Sequence, residues 1–400
     1  MKMRLLSSTL LLLLFCSCAE DSSPVIDDRM LALASRTVIV YMSAENNLGS
    51  GTQGFADKDI AEMARGCKSL AADVNLVVFV DKASPIETPY IARVTSDEQH
   101  PLDVLYSYPT DFYSSDPDMM TDVLQRIVGY YPVQEDYGLV LWGHGTGWAI
   151  DRDSIRSTRA YGIDSGDNSP TFSYGKWLNI PSLRMVLERL GIPLKFILFD
   201  CCSMQSIEVA YELRNCAEYI IGSPAEIPTN GASYYRILPF LFSRSATFYE
   251  GILQSYAANS NELTPLSVIK TSELESLAVA TYDLLPSLKS HLLSSDMGGY
   301  IYYGNVGFRF YDMKDVIKDV VGENPSLYIP WISAYEAAVV ARLYTPHWTT
   351  NGQVEFDFDL TEERYGGVSM FFPAQSVSGS RFSPLEDIRL FAWYHDVGWN

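Results

Sequence analysis

The chain is poor in cysteine, histidine and positive charge, and each shortage excludes something. Of six cysteines in 400 residues, Cys16 and Cys18 fall in the leader, leaving Cys67, Cys201, Cys202 and Cys216. Four cysteines in a body of this size do not make a disulfide scaffold. Five histidines are present, and His100, His291, His347 and His395 lack metal-ligand spacing to other donors, so no zinc site is expected. Basic residues number 29 against 49 acidic ones, a net charge of −20. That balance argues against nucleic acid as a partner. It is compatible with cationic substrates, although solubility is the simpler reading. No glycine-rich phosphate loop follows a strand. Beyond the leader, no apolar run is long enough to cross a membrane.

The leader itself is an export signal. Lys2 and Arg4 precede an apolar run from Leu10 to Phe15, which is too short to span a membrane. Small Ser17 before Cys18 fits lipoprotein cleavage and acylation of Cys18, with Glu20 and Asp21 directly after it. Residues 1–18 therefore read as a lipoprotein signal peptide and 19–35 as a polar tether. An exported, lipid-anchored protein is expected, bound to membrane through that anchor alone.

Apolar runs then alternate with helical patterns. Strands are expected over 37–43, 74–80, 139–142, 196–199 and 219–222, with short edge strands at 90–94 and 104–108. Helices are expected over 60–64, 120–128, 183–190 and 204–213. This alternation indicates an α/β fold, a mostly parallel sheet flanked by helices. The α/β core is assigned to 36–238, and 239–400 reads as a C-terminal helical annex that returns a strand. Residues 151–177 carry Arg152, Arg156, Arg159 and Lys176 and read as a long exposed loop. Within it, Asp164-Ser-Gly-Asp167-Asn168 offers oxygens to Ca2+. The EF-hand spacing is absent, however, and a turn is the better reading. No cofactor is required by this pattern.

The chemistry concentrates at two strand ends. Trp142-Gly-His144-Gly-Thr-Gly-Trp148 follows one buried run, and Asp200-Cys-Cys202-Ser-Met204 follows another. In an open parallel sheet, reactive side chains gather beyond the carboxyl ends of the strands. His144 and Cys202 are thus expected to meet as base and thiol nucleophile. Placed before helix 204–213, the Cys202 thiol is expected to have its pKa lowered by the helix dipole. The N–H groups of Gly145 and Cys202 are candidates for an oxyanion hole. Alternation at the strand end turns Cys201 away from the site to pack inside.

These segments resemble a known family. Asp200-Cys-Cys202-Ser-Met204 with Ile207-Glu-Val-Ala-Tyr-Glu-Leu213 is similar to the nucleophile segment of the clostripain peptidases. Tyr41-Met-Ser-Ala-Glu-Asn-Asn-Leu48, Trp142-Gly-His144-Gly-Thr-Gly-Trp148 and Gly367-Val-Ser-Met-Phe-Phe-Pro373 resemble others of its segments. The resemblance implies a caspase-like fold and a cysteine endopeptidase that cleaves peptides or proteins after Arg or Lys. It implies His144 and Cys202 as the catalytic pair and Asp200 as an acidic wall of the specificity pocket; a monomer is expected. The acidic residues after Cys18 resemble the surface-export pattern of Bacteroides-type lipoproteins, which places the chain at the outer membrane. Three positions depart from the family. Cys201 replaces Ala, Ser203 replaces Leu, and the loop from Ser223 to Ser233 lacks the family's Trp. The altered loop leaves open a second reading, a surface protein that binds peptide or a partner with little or no turnover. A third is a hydrolase or acyl-transferase of different substrate class with the same pair.

Overall fold

The computed structural model describes residues 33–49, 54–150, 160–166, 168, 175–259, 264–292, 297–304, 310–345, 347–350, 354–357, 363–373 and 384–399. The expectations for the signal peptide, for Cys18 and for most of the tether lie outside the described residues.

In the first half, the strands are β1 (Ala34–Ala44), β2 (Val74–Lys82), β3 (Tyr90–Val94), β4 (Leu102–Ser107), β5 (Val133–Trp142), β6 (Tyr161–Asp164), β7 (Lys176–Leu178), β8 (Leu194–Asp200) and β9 (Ala217–Gly222). Between them run helices α1 (Phe55–Cys67), α2 (Pro117–Tyr130), α3 (Ile180–Leu190) and α4 (Ile207–Glu212). The second half adds α5 (Tyr234–Leu241), α6 (Phe248–Asn259), β10 (Leu266–Lys270), α7 (Leu274–Leu292), β11 (Tyr311–Asp312), α8 (Met313–Val321), α9 (Pro325–Ala338) and β12 (Val339–Leu343). It ends with the hairpin β13 (His347–Thr350) and β14 (Val354–Asp357), then β15 (Ser369–Met370), α10 (Pro384–Ile388) and α11 (Ala392–Asp396).

Nine strands form one sheet in the order β12-β10-β9-β8-β5-β1-β2-β3-β4. The middle five pair in parallel. Both edges are antiparallel, β2-β3-β4 on one side and β9-β10-β12 on the other. The central strands are apolar throughout because both of their faces are covered. On β1, Val38, Val40 and Met42 pack against α1, α5 and α6. Ile39 and Tyr41 enter the opposite layer, with α2, α3, α4 and α7. Side chains that alternate between two buried layers leave no polar position until the strand ends.

Register makes those ends coincide. Tyr41 pairs with Leu141, Trp142 with Asp200, and Ser43 with Asp81. The residues just past these pairs therefore emerge side by side on one edge of the sheet.

Three expectations change. Residues 160–164 are buried rather than part of an exposed loop, and β6 pairs with β7. The Tyr161 hydroxyl donates to the carbonyls of Tyr41 at 3.0 Å and Trp142 at 3.3 Å, holding β6 under the strand ends. The boundary expected at 238/239 falls inside α5, which continues through Pro239. The helix expected from Met204 begins at Ile207, where the Ser206 hydroxyl caps it by accepting from Val209 N–H at 3.3 Å. The C-terminal half adds two strands to the sheet, β10 and β12.

Candidate active site

His144 stands two residues beyond Trp142 at the end of β5, and Cys202 two beyond Asp200 at the end of β8. Because Trp142 and Asp200 are register partners, their successors lie next to each other. The contact between the segments is direct at Gly145. A Cβ there would come within 2.7 Å of the Cys202 carbonyl oxygen and 3.1 Å of the Cys201 side chain. Only glycine permits that approach. Gly147 is needed for a second reason, its φ of +73°, and a side chain there would strike Phe310 and the Ser203 carbonyl at 2.8 Å. Trp148 is fully buried and packs edge-on against Phe371 at 5.1 Å, anchoring the glycine-rich turn.

Backbone bonds set the turn's orientation. Gly145 forms a bridge with Tyr161, but its two bonds come from neighbours. Gly162 N–H donates to the His144 carbonyl at 2.9 Å, and Thr146 N–H to the Ala160 carbonyl at 2.9 Å. The Gly145 N–H is thus not spent on this bridge.

His144 is half-buried, and its Nε2 lies 2.9 Å from Asn47 Oδ1. With the amide oxygen accepting, the imidazole proton sits on Nε2 and Nδ1 is the basic nitrogen. Asn47 follows β1 in the turn 45–49, and its partnership with the His was not anticipated from sequence. The available signal was register: Met42 pairs with Trp142, so the turn after β1 flanks the turn after β5.

Cys202 is half-buried beneath the loop 223–233. Its Sγ accepts from Ile227 N–H at 3.3 Å and approaches the Ile227 carbonyl at 3.8 Å. Burial pushes the thiol up to about 12, against the lowering contact with Ile227, and the negative charges of Glu226 and Asp200 add to the rise. This reverses the lowered pKa expected from a helix dipole. Burial is the cause, and no helix terminus offsets it: α4 starts at Ile207, beyond a turn in which Ser203 has φ +60°. Cys201 is 2% exposed, packs in the core and has its thiol raised by burial. Both are free thiols.

Asp200 does not face solvent as an open pocket wall. Its carboxylate accepts from the Tyr256 hydroxyl at 2.7 Å, the Tyr234 hydroxyl at 2.9 Å and Ala232 N–H at 3.3 Å. These bonds tie β8 to α5, α6 and the 223–233 loop. They favour the ionised form, while burial is the larger effect and raises its pKa. Glu226, in the same loop, carries its charge close enough to Cys202 to affect it.

Beneath the site, Gln205 ties the turn after Cys202 to the second half of the chain. Its carbonyl accepts from Ser369 N–H at 3.1 Å, and its amide donates to the Ser267 carbonyl at 3.1 Å. Glu208 accepts from Phe371 N–H at 2.7 Å, and burial pushes it up to about 7. The segment 367–373 thus underpins the turn that carries Cys202.

No curated protein matches the chain. Its residues 40–342 match the clostripain family. A secreted C11 cysteine protease from Bacteroides thetaiotaomicron, solved with an irreversible peptide inhibitor, is 29% identical with a TM-score of 0.76 and covers 92% of this chain and 100% of its own. An inactive zymogen C11 protease from Parabacteroides distasonis is 26% identical with a TM-score of 0.74 and covers 91% of this chain and 98% of its own. The match spans well over half of the sequence and both solved structures superpose over most of the chain, so this chain belongs to the clostripain family of cysteine peptidases and has its caspase-like fold.

Proposed function

We propose that the protein is an endopeptidase in which His144 and Cys202 act as a catalytic dyad, with preference for a basic residue before the scissile bond. The observation that carries this reading is the register pairing of Trp142 with Asp200, which sets the His and Cys turns against each other across Gly145. His144 Nδ1 takes the Cys202 proton, and the thiolate attacks the substrate carbonyl. The Gly145 and Cys202 N–H groups stabilise the tetrahedral oxyanion, worth about 3 kcal/mol for each such donor. The imidazolium then protonates the leaving amine, and water hydrolyses the thioester. A thiol near 12 is neutral at rest. Its proton therefore moves to His144 as substrate binds, with the Ile227 N–H contact favouring the thiolate. The basic preference rests on the charges of Glu226 and Asp200, both felt at Cys202. Asp200, with its oxygens occupied by tyrosines, acts through its field rather than by direct contact.

A basic acyloxymethyl-ketone peptide tests the dyad. Adduct on Cys202 in the wild type, absent in Cys202→Ala and in His144→Ala and present in Cys201→Ala, is the expected pattern. Adduct on Cys201 instead would reverse the assignment. Failure of basic, acidic and neutral probes alike would favour the reading as a surface protein that binds peptide without turnover.

We further infer a lipid anchor on Cys18, from the basic–apolar–Ser17-Cys18 order of the leader. A fatty-acid analogue fed to expressing cells should label the wild type and not Cys18→Ala. Equal labelling of both would remove the assignment.

A further inference from the structure

The bonds that cage Asp200 leave a basic side chain of the substrate without an open carboxylate there. Asp200 is 6% exposed, and Tyr234, Tyr256 and Ala232 N–H occupy its oxygens. A second carboxylate stands near it. Asp59 on α1 is only partly buried, and its Oδ2 accepts from the Trp142 indole Nε1 at 2.7 Å. Trp142 is the register partner of Asp200, so the two aspartates flank the same pair of strand ends.

Local structure places Asp59 close to the reactive edge. α1 begins beside the turn that carries Asn47, where Phe55 N–H donates to the Leu48 carbonyl at 3.0 Å. Asp59 lies one helical turn below Phe55. Glu62, on the same face of α1, accepts from the Ser233 hydroxyl at 3.0 Å and from Tyr235 N–H at 3.4 Å. α1 is therefore joined to the start of α5 at a level deeper than Asp59. Toward Cys202 the same layer is edged by Leu48, Phe55 and Ile227, apolar residues that are partly buried. Ile227 is also the residue that contacts the Cys202 thiol.

The chemistry of this corner is unbalanced. Every hydrogen-bond donor to the two aspartates is neutral: an indole, two phenols and one backbone amide. Burial raises the Asp59 carboxyl to about 8; the charges of Asp200 and Glu62 add to the rise, and the indole bond and Lys58 oppose it. The hydroxyls of Tyr234 and Tyr256 feel the Asp59 charge as well. A cation against Asp59 would restore the balance, because an opposite charge favours the ionised carboxylate.

We propose that Asp59 is the carboxylate that meets the basic side chain before the scissile bond, with Asp200 behind it as a caged second charge. The methylenes of a lysine or arginine run past Ile227, Phe55 and the Trp142 ring, and the charged end bonds Asp59. Trp142 holds that carboxylate in place from the strand that presents His144. The assignment rests on the peptidase reading above.

The test measures binding to the full chain carrying Cys202→Ala, which cannot turn over. Two fluorescent peptide amides are compared by anisotropy, identical except that one ends in Arg and the other in citrulline, its neutral isostere. The Arg peptide should bind about tenfold to a hundredfold more tightly. Adding Asp59→Asn, which keeps an oxygen for the Trp142 indole, should remove most of that preference. In Cys202→Ala alone the preference should grow several-fold from about pH 6 to about pH 9, as Asp59 ionises, and in Asp59→Asn it should change little. Equal weakening of both peptides by Asp59→Asn would make Asp59 a structural partner of Trp142 and overturn the contact. An undiminished preference, or binding of neither peptide to Cys202→Ala, would overturn it too. Should the doubly substituted chain fail to fold, the pH series on Cys202→Ala decides, and a preference constant across it rejects Asp59. Turnover by the unsubstituted chain is followed in parallel. Arg preference in binding without turnover would remove the dyad and keep Asp59, whereas turnover without Arg preference would keep the dyad and remove Asp59.

Discussion

Asn47 is the residue through which the candidate site became more specific than its sequence motif. His144 needs one nitrogen held so that the other is a base in a fixed place. The 2.9 Å contact from Nε2 to Asn47 Oδ1 does this. Asn47→Ala should lower kcat on the order of tenfold to a hundredfold, with KM little changed. A steady-state assay with a basic peptide checks this, and Asn47→Asp should restore part of kcat by offering an equivalent acceptor. An equal loss in both parameters, with no rescue, would give Asn47 a merely structural role. The strand-end placement of His144 and Cys202 was legible because a buried apolar run that stops at a polar turn marks where a strand ends. Asn47 was not, because an asparagine after a strand is ordinary turn chemistry. Asp200 was legible as a charge near Cys202. Its cage of Tyr234 and Tyr256 was not, since those residues come from helices more than thirty positions away.

At the scale of elements, the parallel strands were readable because each is buried on both faces and therefore apolar without interruption. β1, β2, β5, β8 and β9 all extend past the runs that announced them. The extensions carry residues such as Arg36, whose guanidinium reaches Asp136 at 3.0 Å and the Leu241 carbonyl at 2.9 Å. A buried arginine breaks the apolar pattern while satisfying the strand's environment. β6 was missed for a related reason. Four residues in a polar segment give no periodicity, and their burial depends on Tyr161 reaching across to β1 and β5. The start of α4 was misplaced by three residues, and that error carried into the thiol's electrostatics. A dipole acts within the first turn only, so with α4 starting at Ile207 it does not offset the burial that raises the Cys202 thiol.

Across the whole molecule, the net charge of −20 gains a use beyond solubility once the site is placed. Glu226 and Asp200 are felt at Cys202. On the proposed reading, a negative body with negative charge felt at Cys202 attracts cationic peptides before any contact forms. Such steering is screened over about 10 Å at 0.1 M salt. For a peptide bearing two or three positive charges, kcat/KM should therefore fall several-fold between about 20 mM and 300 mM NaCl. For an acidic peptide with the same basic residue at the cleavage position, it should rise or stay level. Labelling of Cys202 by a small neutral alkylating agent should not change over this range, which separates steering from an effect of salt on the thiol or the fold. Parallel salt curves for both peptides would mean that charge is read by contact within the loop 223–233. Steeper dependence for the cationic peptide, reduced in Glu226→Gln, would mean that recognition begins in the field, where a carboxylate caged by two tyrosines can still contribute.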